Sequence, residues 1–193
     1  MTHPPNYGPH LWERAGRILL VERLRLNTHR VIATLLDEEA LGNVWWPLKP
    51  KGLSRQQEKV LMLWLNGSLG ILLYVGHRIV TQGPWTQMKQ PAWQSMPVLD
   101  VRKLSPEQIT DLSADYDQFS EKPLEPLADL KRDPIRIQID SAIARRLKLP
   151  DLTFVRELLD REPGLTGRDI VTRKNESVEA DLPEAGGDSE LLV

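Results

Sequence analysis

Apolar residues concentrate in one stretch, Val60 to Val75, broken only by Asn66, Gly67, Ser68 and Gly70. Just upstream, Ser54 and Gln57 stand at capping-box spacing, which predicts a helix from about Arg55 to Leu65. Within it Val60, Leu61, Trp64 and Leu65 fall on one stripe at helical spacing. Leu65-Asn66-Gly67-Ser68 then reads as a stop and a restart. Asn66 is expected to serve as a cap, Asn or Gly taking the left-handed position, with Ser68 capping a second helix to about Val75.

On the N-terminal side the period changes from helical to alternating. Arg17 to Leu26 reads as a strand that places Val21, Arg23 and Arg25 on one face and Glu22, Leu24 and Leu26 on the other. Val31–Leu36 and Val44–Leu48 are two further strands, the last stopped by Pro47. Beyond Gly76, His77–Gln82 reads as a short strand, Gly83-Pro84-Trp85 as a turn and Thr86–Lys89 as a polar stretch; Met96–Val101 is a last strand. Trp93 is expected to pack on the sheet and Trp85 to be more open.

From Leu104 the pattern is helical. Ser105 as N-cap and Pro106 at the first position start a helix to about Phe119. Asp133-Pro134 starts another that ends near Lys148, and Leu152–Leu159 makes a third, closed by Pro163-Gly164. Arg136, Arg145 and Arg146 sit among acids and are expected on a solvated helix face. From about Val171 six acidic residues and no Lys or Arg after Lys174 predict a disordered acidic tail. The expected fold is therefore α+β: a small, mostly antiparallel sheet packed on a central helix pair, then a helical subdomain and the tail. The corresponding divisions are 1–103, 104–172 and 173–193.

Charge sharpens this division. The net charge of −2 is the sum of +6 over residues 1–103 and −8 over 104–193, and all six Trp lie in the first part. A basic, Trp-rich half joined to an acidic half suggests two jobs. With no cysteine, disulfides, thiolate chemistry and Cys-ligated zinc are excluded. The first 16 residues lack the basic and apolar segments of a signal peptide. The main apolar run, about 16 residues with polar interruptions, is shorter than the roughly 18 to 20 that span a bilayer. A cytoplasmic protein without a membrane partner is expected.

Enzymatic signatures are missing. No Gly-rich phosphate loop follows a strand, and the four His have no helix-spaced partner for a metal. Ser68 in Asn66-Gly67-Ser68-Leu69-Gly70 lacks the first Gly of a nucleophile elbow. Glu22, Glu38 and Glu39 have no second group that would set two carboxyl pKa values apart. Pro4-Pro5-Asn6-Tyr7 holds the letters of the Asn-Pro-Pro-Tyr methyltransferase motif in the wrong order, and that motif needs its Asn first. No cofactor, metal or small-molecule substrate is implied.

Binding is better supported, because nucleic-acid recognition needs cations for phosphates and amide, hydroxyl or guanidinium groups for base edges. Arg78, Thr81, Gln82, Trp85, Gln87 and Lys89 lie within one short segment, and Lys49 and Lys51 flank the strand before the central helix. Arg23 and Arg25 are further candidates for phosphate, or a solvated face balanced by Glu22.

Four segments carry a family resemblance: Arg17–Thr28, Leu41–Leu48, Leu63–Leu73 and Gln82–Lys89 followed by Met96–Asp100. Together they resemble the C-terminal target-recognition region of adenine-specific DNA methyltransferases of the Asn-Pro-Pro-Tyr class. The likeness covers about residues 10 to 160, including Asp133–Leu147; Gly67, between Asn66 and Ser68, departs from the pattern. The resemblance implies a non-catalytic specificity module of a restriction–modification or phage-defence system. Its partners would be double-stranded DNA and a separate methyltransferase catalytic subunit, since neither the cofactor-binding strand nor Asn-Pro-Pro-Tyr occurs here. In that reading Arg78, Lys89, Lys49 and Lys51 would contact phosphate. Thr81, Gln82 and Gln87 would face base edges, and Trp85 would brace the loop or stack. The alternative is an interaction subunit of such a complex that does not touch DNA, its acidic half docking a basic partner.

Overall fold

The computed structural model describes residues 12–81 and 85–167. The expected tail and Gln82 lie outside them. Two three-stranded antiparallel sheets meet at Glu22. The first contains β1 (Gly16–Val21), β3 (Ala33–Ala40) and β4 (Trp45–Leu48) in the order β3-β1-β4. The second contains β2 (Arg23–Arg25), β5 (Ile79–Val80) and β6 (Trp85–Gln87) in the order β2-β6-β5. The single strand expected over 17–26 is thus divided between sheets. Glu22 joins them: its N–H donates to the Val44 carbonyl at 2.8 Å and its carbonyl accepts from the Met88 N–H at 2.7 Å. Beyond the switch the expected alternation holds, with Leu24 and Leu26 fully buried and Arg23 and Arg25 exposed, but Val21, expected on the arginine face, is fully buried because the strand changes sheets at Glu22.

The central helices are α1 (Arg55–Asn66) and α2 (Ser68–His77), bent by 68°. Ser54 closes α1 with the expected reciprocal capping box, accepting from Gln57 N–H while the Gln57 side chain accepts from Ser54 N–H. The break between them is built differently from expectation. Gly67 is extended, at φ −73° and ψ 168°, not left-handed. Gly70 makes the sharp bend sterically feasible, since a Cβ there would lie 2.2 Å from the Leu65 carbonyl oxygen.

Asn66 caps nothing. Its Nδ2 donates to the carbonyls of Ala33 (2.9 Å) and Met62 (3.2 Å), and its Oδ1 accepts from Ile32 N–H at 3.0 Å. It ties the end of α1 to the start of β3. Nor does Ser68 cap its own helix. The free amide there is satisfied by Asp140, which accepts from Ser68 N–H at 2.8 Å and from its hydroxyl at 2.6 Å. A carboxylate at a helix N-terminus satisfies an orphan donor and complements the helix dipole.

The helical half follows the sequence reading closely. α4 (Pro106–Phe119) has the Ser105 cap completed by Gln108. α5 (Pro134–Leu147) is capped by Asp133 and ends at Lys148 in the left-handed conformation. α6 (Thr153–Asp160) precedes a one-turn α7 (Pro163–Thr166). Between the halves lies α3 (Gln90–Ser95), where only a polar stretch and loop were expected. The strand expected over 96–101 does not form. Asp100 accepts from Arg102 N–H and turns Val101–Lys103 into a 3-10 segment instead.

One apolar core runs through both halves, from Ile18 and Leu24 through Met62 and Ile71 to Leu112, Ile139 and Leu159. Arg136, expected on a solvated face, is completely buried beneath the bend. Its guanidinium pairs with Asp133 at 3.0 Å and donates to the backbone carbonyls of Asn66 and Arg30. Burial pulls its pKa down while Asp133 and Asp140 oppose that fall. No described helix is long and apolar enough to cross a membrane by itself.

Candidate nucleic-acid interface

The second sheet collects exposed chemistry on one face. Directly opposed residues of antiparallel strands share a face. Arg23 pairs with Gln87, Arg25 with Trp85, and Ile79 with Gln87, so these five side chains point the same way. The opposite face carries Leu24 and Thr86, both buried. Beneath it Tyr74 is also fully buried, its hydroxyl 3.4 Å from the Thr86 hydroxyl. Burial pushes the Tyr74 phenol pKa up, countered by Thr86 and by the charge of Arg78.

On the open face the Arg23 guanidinium carbon stands 5.4 Å from the Trp85 ring centroid, a cation–π arrangement. Trp85 keeps 42% of its surface exposed. Neither Arg23 nor Arg25 forms an ion pair among the described residues. Both arginines are exposed, and Arg23 lies over the Trp85 ring opposite Gln87, a cation, an aromatic face and an amide that together suit phosphate and base contacts.

The described residues singled out from sequence divide into four groups. Trp85, Gln87 and exposed Lys89 belong to this face or its continuation, for Lys89 caps α3 directly after β6. Thr81 follows β5 and donates its hydroxyl to the Trp85 carbonyl at 2.7 Å, so the hydroxyl is engaged within the protein rather than presented. Arg78 is drawn inward. Only 10% of its side chain is exposed; it donates to the Val75 carbonyl and pairs with Glu162 at 2.5 Å. Lys49 and Lys51 lie elsewhere, at the end of β4 and in the turn after it. Lys49 pairs with Glu39 at 3.2 Å on the surface.

Arg23 and Arg25 are the residues that the segment-by-segment reading underweighted. The signal was present in their alternation with Leu24 and Leu26. What sequence spacing could not convey is that β6, some 60 residues later, places Trp85 and Gln87 beside them. Among the described residues no three His, Cys, Asp or Glu side chains converge to hold a metal ion. No family model, curated protein or solved structure matches this chain.

Proposed function

We propose that this chain is a DNA-binding specificity module that works beside an adenine-specific methyltransferase catalytic subunit. The observation that carries the reading is the open sheet face on which Arg23, Arg25, Trp85 and Gln87 stand together. Residues 17–28 and 82–89, which supply that face, are also segments whose sequence resembles a methyltransferase target-recognition region. Arg23, Arg25 and Lys89 contact phosphates, Gln87 reads a base edge, and Trp85 braces the arginines or stacks. Arg78 is left out of the contact because Glu162 neutralises it. The chain supplies affinity and selectivity, and methyl transfer belongs to the partner.

The test is a titration of a labelled duplex with the full chain, alone and with the catalytic subunit, followed by fluorescence anisotropy. Arg23→Glu/Arg25→Glu replaces two cations by two anions and is expected to weaken binding by at least about tenfold at low salt. A parent chain that leaves the duplex free in both settings would defeat the reading. A second reading, an interaction subunit that does not touch DNA, draws on α6, where Phe154 and Leu158 are exposed one turn apart. In that case the catalytic subunit binds the chain while both forms of it leave the duplex unaffected.

A further inference from the structure

A groove of about 820 Å³ opens beside the edge strand β4, on a part of the molecule that the duplex-facing sheet does not use. Trp45, Trp46 and Trp93 line it together with Leu20, Leu61 and Leu65; Trp45 and Trp46, adjacent on β4, reach it from the two faces of the edge strand. Two of the indoles are fixed. Trp46 Nε1 donates to the Met88 carbonyl at 3.0 Å, and Trp93 Nε1 donates to the Val21 carbonyl at 2.9 Å. Trp93 also packs against Tyr74, ring centroids 5.8 Å apart. With their polar edges satisfied by backbone, these rings offer rigid faces at low entropic cost. Gly42 lets the β3–β4 loop pass over Trp45, since a Cβ there would fall 2.5 Å from the Trp45 Cβ.

The polar groups at the groove are not those of a purely apolar site. Arg14 is exposed and has no ion-pair partner among the described residues. Lys49 holds only Glu39, both half exposed, a kind of pair that contributes little and exchanges readily. Gln90 and Gln94 stand one turn apart on α3 and bring two amides to the same wall. Glu22 is the one carboxylate among the lining residues. Stacking surfaces, two cations and two amides together describe the complement of a planar heteroaromatic base that carries phosphate. The volume lies within the roughly 300 to 1,000 Å³ usual for small-ligand clefts.

We propose that the groove lined by Trp45, Trp46 and Trp93 binds an unpaired nucleotide, the base stacked on an indole and the phosphate held by Arg14 and Lys49. This site is separate from the sheet face proposed to hold duplex and does not depend on that reading. A proline-rich peptide also suits Trp-lined grooves, but it makes no use of Arg14 and Lys49.

The experiment follows intrinsic tryptophan fluorescence of the full chain at low salt, in the Arg23→Glu/Arg25→Glu background so that the sheet face is silent. The probes are dAMP and a single-stranded adenine pentanucleotide. Saturable quenching is expected, with affinity reduced about tenfold in Arg14→Glu and in Trp45→Leu. Quenching by dAMP alone supports a free nucleotide as the ligand; quenching by the pentanucleotide only supports an unpaired base within a strand. Arg14→Glu changes an exposed rim residue, so it keeps the test valid should Trp45→Leu misfold. Absence of quenching by both probes, unchanged affinity in Arg14→Glu, or quenching by a proline-rich decapeptide in their place would each overturn the proposal.

Discussion

Two clusters of charge in this molecule have opposite fates. Beneath the α1–α2 bend, Arg136, Asp133, Asp140 and Arg156 are buried and saturated: Arg156 donates to Asp140 at 2.7 Å, and Asp140 also accepts twice from Ser68. On the second sheet, Arg23 and Arg25 are exposed and carry no ion pair among the described residues. Both clusters are rich in arginine, yet only one has donors to spare. Taking charge out of water is costly unless every donor and acceptor is met, so a buried cluster is already closed to a ligand. An exposed arginine over an aromatic ring retains its capacity to bind.

The contrast predicts that substitutions in the two places fail in different ways. Asp140→Ala leaves the Arg156 guanidinium and the Ser68 amide without their partner. Loss of about 3 to 5 kcal/mol of stability is expected, read from chemical unfolding. A loss well under 1 kcal/mol would show that water reaches the bend and that the cluster is not closed. Asn66→Ala removes the tie between α1 and β3 and leaves strand amides short of an acceptor, with about 1 to 3 kcal/mol lost by the same measurement. At the cap of α1, Ser54→Ala should lower stability by about 1 kcal/mol. On the open face Arg25→Ala is expected to leave the unfolding midpoint almost unchanged. It should instead reduce the salt dependence of duplex binding by roughly one phosphate contact. A large loss of stability there, with an unchanged salt slope, would erase the distinction between the clusters.

How far each cluster could be read from sequence follows from the range of its contacts. The helix starts at Ser54 and Ser105 were legible because a capping box is complete within four residues. The interruption at Asn66–Ser68 was legible too, as was the alternation that exposes Arg23 and Arg25. The chemistry of the interruption was not. Asn66 bonds to a strand 33 residues earlier, and Ser68 to a carboxylate 72 residues later. Arg78 looked available in its own segment, but it donates to the Val75 carbonyl and pairs with Glu162, 84 residues away. Likewise Arg136 has acids around it in sequence but lies at 0% exposure, because its partners include two distant backbone carbonyls, Asn66 at the end of α1 and Arg30 in a loop. The division of residues 17–26 between sheets was not legible, since Glu22 performs the switch with backbone groups alone, and it buries Val21 instead of leaving it on the face of Arg23 and Arg25.

Photo-crosslinking puts the central claim to its most direct trial. A duplex carrying photoreactive halogenated bases is bound by the full chain, irradiated and digested, and the crosslinked peptides are identified by mass spectrometry. Crosslinks to the segment containing Trp85 and Gln87, lost in Arg23→Glu/Arg25→Glu, are the predicted result. Crosslinks confined to the helices between Pro106 and Asp160, unaffected by those substitutions, would contradict it.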